Sequence, residues 1–193
     1  MLSEQGFEFT EAQFRSTFGR TTRDILQQLC GDKFPAEQMQ AFDDRKEALF
    51  RESIRQDFPA IDGAVKLIDS LAAFGFALAV GSSGPPENVA LTLECLGCAD
   101  HFGASITGGD VTRGKPDPQV FLLGAERLGV EPHQCAVVED APAGVEAANR
   151  AEMLSIALTG TATREQLAHA DLVVDNLREI VPAEIKKLLE KRV

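Results

Sequence analysis

Three short stretches of the chain carry side chains that could bind a phosphate group or a metal cation. They are GSSGPP, RGKPDP and VVEDAP, and they contain Ser82, Lys115, Glu139 and Asp140. Each is associated with the end of an apolar run typical of a buried strand and precedes a helix-like pattern. Because ligands of parallel sheets bind beyond the carboxyl ends of the strands, we expect these side chains to lie close together.

The first stretch combines hydroxyl groups with a turn that leads into a helix. Ser82 and Ser83 follow the run FALAVG, and Pro85 or Pro86 could start the next helix. Backbone N–H groups at such a turn, together with a hydroxyl group, can bind a phosphate oxygen. Serine before a helix is also ordinary capping chemistry, so both interpretations stay open at this point.

The second stretch places Lys115 in a loop between a glycine and a proline. Proline restricts the backbone there, so the ammonium group can be held in one direction and act as a point charge. The alternative is a solvated loop lysine without a specific partner.

The third stretch places Glu139 and Asp140 side by side at a strand end, ahead of a predicted helix. Two carboxylates this close raise each other's pKa unless a cation compensates their charge. Mg²⁺ is bound by hard oxygen ligands of this kind and keeps several of its waters. The alternative is that the two charges complement the positive N-terminus of the helix.

The elements that must position these residues alternate along most of the chain. Apolar residues recur at spacings of three and four from about residue 10 to 56, which predicts helices in that part. Beyond it we predict strands at 76–81, 104–107, 135–140, 154–159 and 171–175, and helices at 62–74, 86–96, 118–128, 142–150, 163–169 and 183–191. Short strands that alternate with helices predict an α/β fold, with a parallel sheet covered by helices on both faces. We therefore divide the chain into a helical segment, 1–57, and an α/β segment, 58–193.

Composition and charge exclude several classes of protein. The formal net charge of −11 opposes binding to nucleic acid or to an anionic membrane surface, and no apolar run is long enough to span a membrane. Because no signal-peptide pattern precedes the four cysteines, we expect reduced thiols in the cytoplasm. Cys95 and Cys98 form a C-x-x-C pair, but we expect buried apolar residues there, since no second pair completes a metal site.

The order GSSG, GKPDP and VVEDAPAGVEAA resembles the haloacid dehalogenase superfamily, and within it the β-phosphoglucomutase-like phosphatases. The likeness extends over nearly the whole chain and implies a Rossmann-like core with a small helical cap, 1–57. It implies that Ser82 holds the phosphoryl group during transfer and that Lys115 pairs with the phosphate and the nucleophile. Asp140 would hold Mg²⁺, with Glu139 nearby or acting through water. Phosphoryl transfer requires such charge neutralisation around the phosphate oxygens.

One part of the family pattern is missing from this sequence. The nucleophile of the family is the first aspartate of a D-x-D-G motif at the end of the first strand, and the chain contains no such motif. No other aspartate both follows a strand and has a partner acid two residues later; the candidates considered are Asp43, Asp44, Asp62, Asp171 and Asp175. We expect Asp43 and Asp44 to lie on a solvated helix face and Asp62 to be a cap or hinge.

The missing strand has a structural consequence. In this family it lies at the centre of the sheet, between the strands that resemble 76–81 and 135–140, so two strand edges would be unpaired. We therefore expect this chain to be a truncated, inactive form of an enzyme rather than a member of the family that has lost its activity.

The cap of this family selects the substrate, and it offers Arg20 and Arg23 near the start of a predicted helix. Either could bind a second anionic or hydroxyl group, and both could also be exposed helix charges. Ser83 is a further candidate for substrate binding. We expect Arg45 and Arg51 to be solvated.

The residues after the serine motif bear on the type of reaction. Mutases of this family have polar residues there, including a lysine and an asparagine, whereas this chain has Gly84, Pro85 and Pro86. The difference favours an Mg²⁺-dependent phosphatase that acts on a small phosphorylated metabolite, such as a sugar or polyol phosphate. The alternatives are a β-phosphoglucomutase-like phosphomutase and a non-catalytic protein that binds phosphate or Mg²⁺. We expect a cytoplasmic monomer without nucleic-acid or membrane partners.

Overall fold

The computed structural model describes residues 2, 6–8, 10–17 and 20–192. The α-helices within those ranges are α1 Glu11–Arg15, α2 Thr22–Cys30, α3 Met39–Gln56, α4 Ala64–Phe74, α5 Pro86–Leu96, α6 Gln119–Leu128, α7 Pro142–Arg150 and α8 Pro182–Glu190. The strands are β1 Leu78–Gly81, β2 Phe102–Ile106, β3 Ala136–Glu139, β4 Leu154–Leu158 and β5 Leu172–Val174. Strands alternate with helices over most of the chain beyond α4, so the predicted α/β fold is confirmed.

Several helix boundaries follow directly from the residue types. Pro86 and Pro142 occupy the first turn of α5 and α7, where proline costs no hydrogen bond. Gly97 ends α5 with a φ angle of 66°, in the left-handed region that glycine adopts without strain. No helix in the part of the chain that the structure describes is long and apolar enough to cross a membrane.

The strands form two parallel sheets rather than one. β1 pairs with β2, while β4 lies between β3 and β5. Within the described ranges, no hydrogen-bonded ladder joins β1 to β3. All residues of β1 are only half-buried and Val138 of β3 is 39% exposed, whereas every residue of β4 is buried. The edges of β1 and β3 are therefore left unpaired by the described residues, as the sequence analysis expected.

Of the three apolar clusters in the described α/β part, the two largest contain most of the clustered buried side chains. One surrounds β4 and β5 and includes Ile156 and Leu177. The other packs α6 and α7 against β2 and β3 through Ile106, Val120 and Ala148. Because α6 and α7 contact each other as well as different strands, they keep the two sheets in a fixed relation.

The described residues of the helical segment, 1–57, have an apolar cluster of their own. Leu26 of α2 is 1% exposed, and the rings of Phe34 and Phe42 meet edge to face with their centroids 5.3 Å apart. A separate core is what an independent cap domain requires, and the division after residue 57 stays a prediction.

The predicted helix at 163–169 is wrong, because these residues form a series of turns. Thr163 and Gln166 do cap each other as at a helix start, since each backbone N–H donates to the other side chain. The Leu167 N–H reaches back four residues to the Thr163 carbonyl, but the bonds that follow, from Ala168 and Ala170, reach back only three. The α-helical bond is therefore not repeated, and the turn does not grow into a helix before β5.

Candidate functional site

Lys115 lies buried between the ends of β1 and β3, with 6% of its side chain exposed. Its Nζ donates to the backbone carbonyl of Gly81 at 3.2 Å and forms an ion pair with Glu139, whose side chain is 10% exposed. The ammonium also lies 4.9 Å from the centroid of the Phe121 ring. The alternative of a solvated loop lysine is therefore wrong, and the loop after β2 reaches the ends of both β1 and β3.

Asp110 fixes the start of the loop that carries Lys115. Its carboxylate accepts hydrogen bonds from the N–H and hydroxyl groups of Thr107, at 2.8 and 2.7 Å, and Arg127 of α6 donates to it at 2.7 Å. The Thr107 hydroxyl, followed by Arg127, lowers the pKa of Asp110 to about 2. The carboxylate therefore stays ionised at neutral pH and ties the loop to α6.

Ser82 belongs to a loop that contacts the loop after β2. Its Oγ accepts a hydrogen bond from the Gly84 N–H at 3.0 Å, and the Gly108 N–H donates to the Gly84 carbonyl at 2.8 Å. A Cβ atom at Gly108 would lie 2.5 Å from the carbonyl oxygen of Ser83, so only glycine fits there. The N-cap residue of α5 is Pro85, which makes no side-chain cap. The serine motif is thus held beside the Lys115 loop by backbone contacts.

The two adjacent carboxylates at the end of β3 have different partners. Glu139 faces Lys115, and its Oε2 accepts from the N–H of Asp140 at 3.2 Å and from that of Ala141, the N-cap residue of α7, at 3.5 Å. A Cβ atom at Gly144 would lie 2.2 Å from Glu139 Cδ, so any larger residue there would force the Glu139 carboxylate to move. Glu139 therefore combines an ion pair with the helix N-terminal interaction that was the alternative interpretation.

Asp140 instead binds a hydroxyl group from a distant loop. Its Oδ2 accepts a hydrogen bond from Thr161 Oγ1 at 2.5 Å, and Thr161 lies between β4 and β5. Its Oδ1 has no hydrogen-bond partner among the residues that the structure describes. One carboxylate oxygen at the strand end is therefore left to accept a ligand.

A magnesium ion fits Asp140 better than Glu139. Both Glu139 oxygens already accept hydrogen bonds, whereas Asp140 Oδ1 does not. Residues 2, 6–8, 10–17 and 20–192 contain no group of three or more His, Cys, Asp or Glu side chains that could hold a metal. Mg²⁺ does not require one, because it keeps several waters and is often bound by one or two carboxylates and a substrate phosphate. The donor set therefore fits Mg²⁺ at Asp140, with Glu139 as its neighbour.

Arg20 and Arg23 line a cleft of about 450 Å³ between the start of α2 and the loop that carries Lys115. The approach is close, since a Cβ atom at Gly114 would lie 2.8 Å from Thr21 Cγ2. Arg20 Nε is buried without a hydrogen-bond partner in the described part of the chain, while Arg23 is exposed. Both of these arginines, which belong to the helical segment, therefore lie close to the loop that carries Lys115.

The expectation that Arg51 is solvated is wrong. Its guanidinium donates to Asn88 Oδ1 at 2.8 Å, and the buried Asn88 side chain donates to the buried carboxylate of Glu47. This network joins α3 to α5, the helix that follows the serine motif. Helical periodicity could not reveal it, because the partners lie 37 and 41 residues apart in the sequence.

Two of the aspartates considered as nucleophiles, Asp62 and Asp175, form ion pairs with arginines. Asp62 pairs with Arg178 at 2.6 Å instead of capping α4, whose N-cap residue Gly63 makes no side-chain cap. Asp175 pairs with Arg164 at 2.8 Å, beyond the end of β5. Neither has a position that would replace the aspartate of the family motif.

The C-x-x-C pair does not form a site. Cys98 is buried as expected, and burial raises the pKa of its thiol. Cys95 is exposed, so the expectation of burial is wrong for that residue. α5 ends at Leu96, and the spacing of three therefore does not place both cysteines on one helix face.

The contributors to the site that were not predicted include Thr161, Phe121 and the close fit at Gly144. The contact of Thr161 joins residues 21 positions apart and depends on how two strands pair. Gly144 did carry a signal, because a glycine inside a helix costs about 1 kcal/mol relative to alanine and often marks a close contact.

Comparison with known proteins connects this geometry with a family of enzymes. A family model described as haloacid dehalogenase-like hydrolase matches residues 2–152. Validoxylamine A 7'-phosphate phosphatase from Streptomyces hygroscopicus subsp. limoneus is 41% identical over 127 residues, which cover 64% of this chain and 60% of that protein. Hexitol phosphatase A from Escherichia coli (strain K12) is 37% identical over 123 residues, which cover 63% of this chain and 56% of that protein. The chain thus spans six tenths or less of the length of these curated relatives.

A solved structure has the same fold. The β-phosphoglucomutase from Clostridium difficile superposes with a TM-score of 0.87, over 98% of this chain and 86% of that chain, at 23% sequence identity. The fold agrees with the match of the family model, which covers well over half of the chain. The chain belongs to the haloacid dehalogenase-like hydrolase family.

Proposed function

We propose that this member of the family is built to hydrolyse phosphomonoesters of small metabolites, with the phosphate bound at Ser82, Lys115 and Asp140. The observation that carries the proposal is the buried Lys115 ammonium at the ends of β1 and β3, each of which has one unpaired edge among the described residues. A fixed cation there can compensate the charge of a phosphate group during transfer. The names of two relatives, a validoxylamine A 7'-phosphate phosphatase and a hexitol phosphatase, support this class of reaction and a sugar-like or polyol phosphate as substrate.

Each residue has a distinct role in this proposal. The Ser82 hydroxyl and the backbone N–H groups of its loop bind phosphate oxygens, and Lys115 compensates their charge. Asp140 Oδ1 holds Mg²⁺, which when bound supplies further positive charge to the phosphate. Glu139 keeps the Lys115 ammonium at the strand ends and is a neighbour of the cation rather than its main ligand.

The rest of the substrate is proposed to lie in the cleft that faces the cap, 1–57. Arg20, Arg23 and Ser83 would contact its hydroxyl or anionic groups, and the buried Arg20 Nε without a partner supports this role. The sequence Gly84–Pro86 after the serine motif favours a phosphatase over a phosphomutase.

The nucleophile is the part that this chain does not supply. It contains no D-x-D-G motif, so we propose that the chain as given binds phosphate but does not turn over a phosphate ester. The unpaired edges of β1 and β3 support a position for a strand that would bring an aspartate next to Lys115. The absence of the D-x-D-G motif from this sequence favours a second candidate function, a non-catalytic protein that binds phosphate or Mg²⁺.

The charge and the cysteines support the remaining parts of the proposal. A net charge of −11 favours a small-molecule partner over nucleic acid or a membrane surface. The four cysteines are free thiols, which suits the cytoplasm. We propose that the protein acts there as a monomer.

Turnover measurements test the proposal. We expect no release of phosphate from a hexitol phosphate by this chain, because its sequence has no D-x-D-G motif to supply the attacking aspartate. We expect Mg²⁺-dependent release by an extended chain in which the D-x-D-G strand of a family member precedes Met1, because that strand can pair with β1 and β3. The measurement is phosphate released over time, with and without Mg²⁺.

Three outcomes distinguish the candidates. Release by the unextended chain that Asp140→Ala abolishes would show that another nucleophile is present. An extended chain that folds and binds phosphate but releases none would favour the non-catalytic candidate. An extended chain that converts a sugar monophosphate to its isomer only with a bisphosphate activator would be a phosphomutase.

A further inference from the structure

Thr161 connects the carboxylate of Asp140 to a loop on the far side of β3. The loop runs between β4 and β5, and the Thr161 hydroxyl donates to Asp140 Oδ2 at 2.5 Å. Thr161 itself is half-buried. The backbone of Asp140 therefore lies at the end of β3, while one of its carboxylate oxygens is held by a hydroxyl group from the loop after β4.

The loop around Thr161 is anchored on both sides. Before it, the Thr159 hydroxyl donates to Asp175 Oδ1 at 2.8 Å, and the Thr159 N–H donates to the Val174 carbonyl at 2.9 Å. After it, Arg164 pairs with the other oxygen of Asp175 at 2.8 Å. Because both flanks are tied to the end of β5, the Thr161 hydroxyl is held at a fixed distance from β3.

We infer that Thr161 is a positioning residue for the cation site of Asp140. A neutral hydroxyl donor leaves the carboxylate its full negative charge and fixes its torsion angle, so that Oδ2 is occupied and Oδ1 accepts the cation. Hydrogen-bond partners of metal ligands commonly act in this way. The inference rests on the proposed Mg²⁺ site and concerns the affinity of that site rather than the chemical step.

Two substitutions separate this role from a purely structural one. Thr161→Val keeps the shape of the side chain and removes the donor, while Thr161→Ser keeps the donor and removes only a methyl group. Thr163→Val is the matched control, since the Thr163 hydroxyl lies in the same loop but bonds to the Gln166 N–H. Equal thermal midpoints of the variants would show that the substitutions leave the global stability of the chain unchanged.

The test is a titration of the full chain with Mg²⁺ alone, followed by the backbone amide signals of Asp140 and Thr161. We expect Thr161→Val to raise the half-saturating Mg²⁺ concentration about tenfold, while Thr161→Ser and Thr163→Val stay close to the unaltered chain. If the unaltered chain binds and Thr161→Val binds equally well, the inference fails and the Mg²⁺ site stands. If the unaltered chain shows no response at Asp140, the proposed Mg²⁺ site and this inference fail together.

Discussion

Replacing Glu139 with glutamine is expected to lower the free energy of unfolding by about 3 kcal/mol, because the substitution leaves a buried ammonium without its counter-charge. Lys115 is 6% exposed and Glu139 10% exposed, so water cannot take over the role of the carboxylate. The Gly81 carbonyl would remain as the acceptor for Lys115, and an uncharged acceptor compensates only part of the desolvated charge. Urea unfolding of both chains measures the difference.

Two controls define this first prediction. Glu146→Gln removes the partner of Arg150 in an exposed pair, with side chains 41% and 53% exposed, and should cost less than about 1 kcal/mol. The double variant Lys115→Met with Glu139→Gln should recover part of the loss, since it removes the charge itself. A loss for Glu139→Gln no larger than that for Glu146→Gln would show that the pair is not buried in solution.

The second large effect concerns catalysis in the extended chain that carries the D-x-D-G strand. There, Lys115→Ala is expected to reduce kcat about a thousandfold, because a fixed cation at the transferring phosphoryl group acts mainly on the transition state. The effect on KM should be smaller, since other groups of the site also bind the phosphate. Steady-state kinetics with a hexitol phosphate separate the two parameters.

A surface lysine serves as the control for charge and folding. Lys66 is exposed on α4, and Lys66→Ala should leave both kinetic parameters unchanged. Because Lys115→Ala also leaves Glu139 without its cation, its thermal midpoint must be measured and the kinetics recorded well below that midpoint. A folded Lys115→Ala variant with full activity would show that Lys115 does not take part in catalysis.

The alternation of strands and helices could be predicted well from the residue types. Prolines at the first turn of α5 and α7 and the glycine after α5 are local signals that no distant contact overrides. The turns at 163–169 show the limit of such signals. A capping pair at Thr163 and Gln166 indicates a helix start, but the later bonds of Ala168 and Ala170 reach back only three residues, so no helix follows.

The candidate site was predictable as a set of strand ends but not as a set of contacts. Adjacent carboxylates in the sequence gave no sign that Glu139 would turn to Lys115 and Asp140 to Thr161. Successive residues of a strand point to opposite faces, and a strand end adds a further change of direction. Which of the two carboxylates pairs with Lys115 therefore depends on the positions of the neighbouring loops, and tertiary packing determines those positions.

The most direct test of the phosphate site is a titration of the unextended chain with inorganic phosphate in the presence of Mg²⁺, followed by backbone amide signals. We expect the signals of Ser82, Lys115 and Asp140 to shift together and to saturate at one phosphate concentration, because the three residues would contact one bound anion. The same titration of Lys115→Met should lose this common response. Shifts confined to one of the three residues, or to residues elsewhere, would contradict a shared phosphate site.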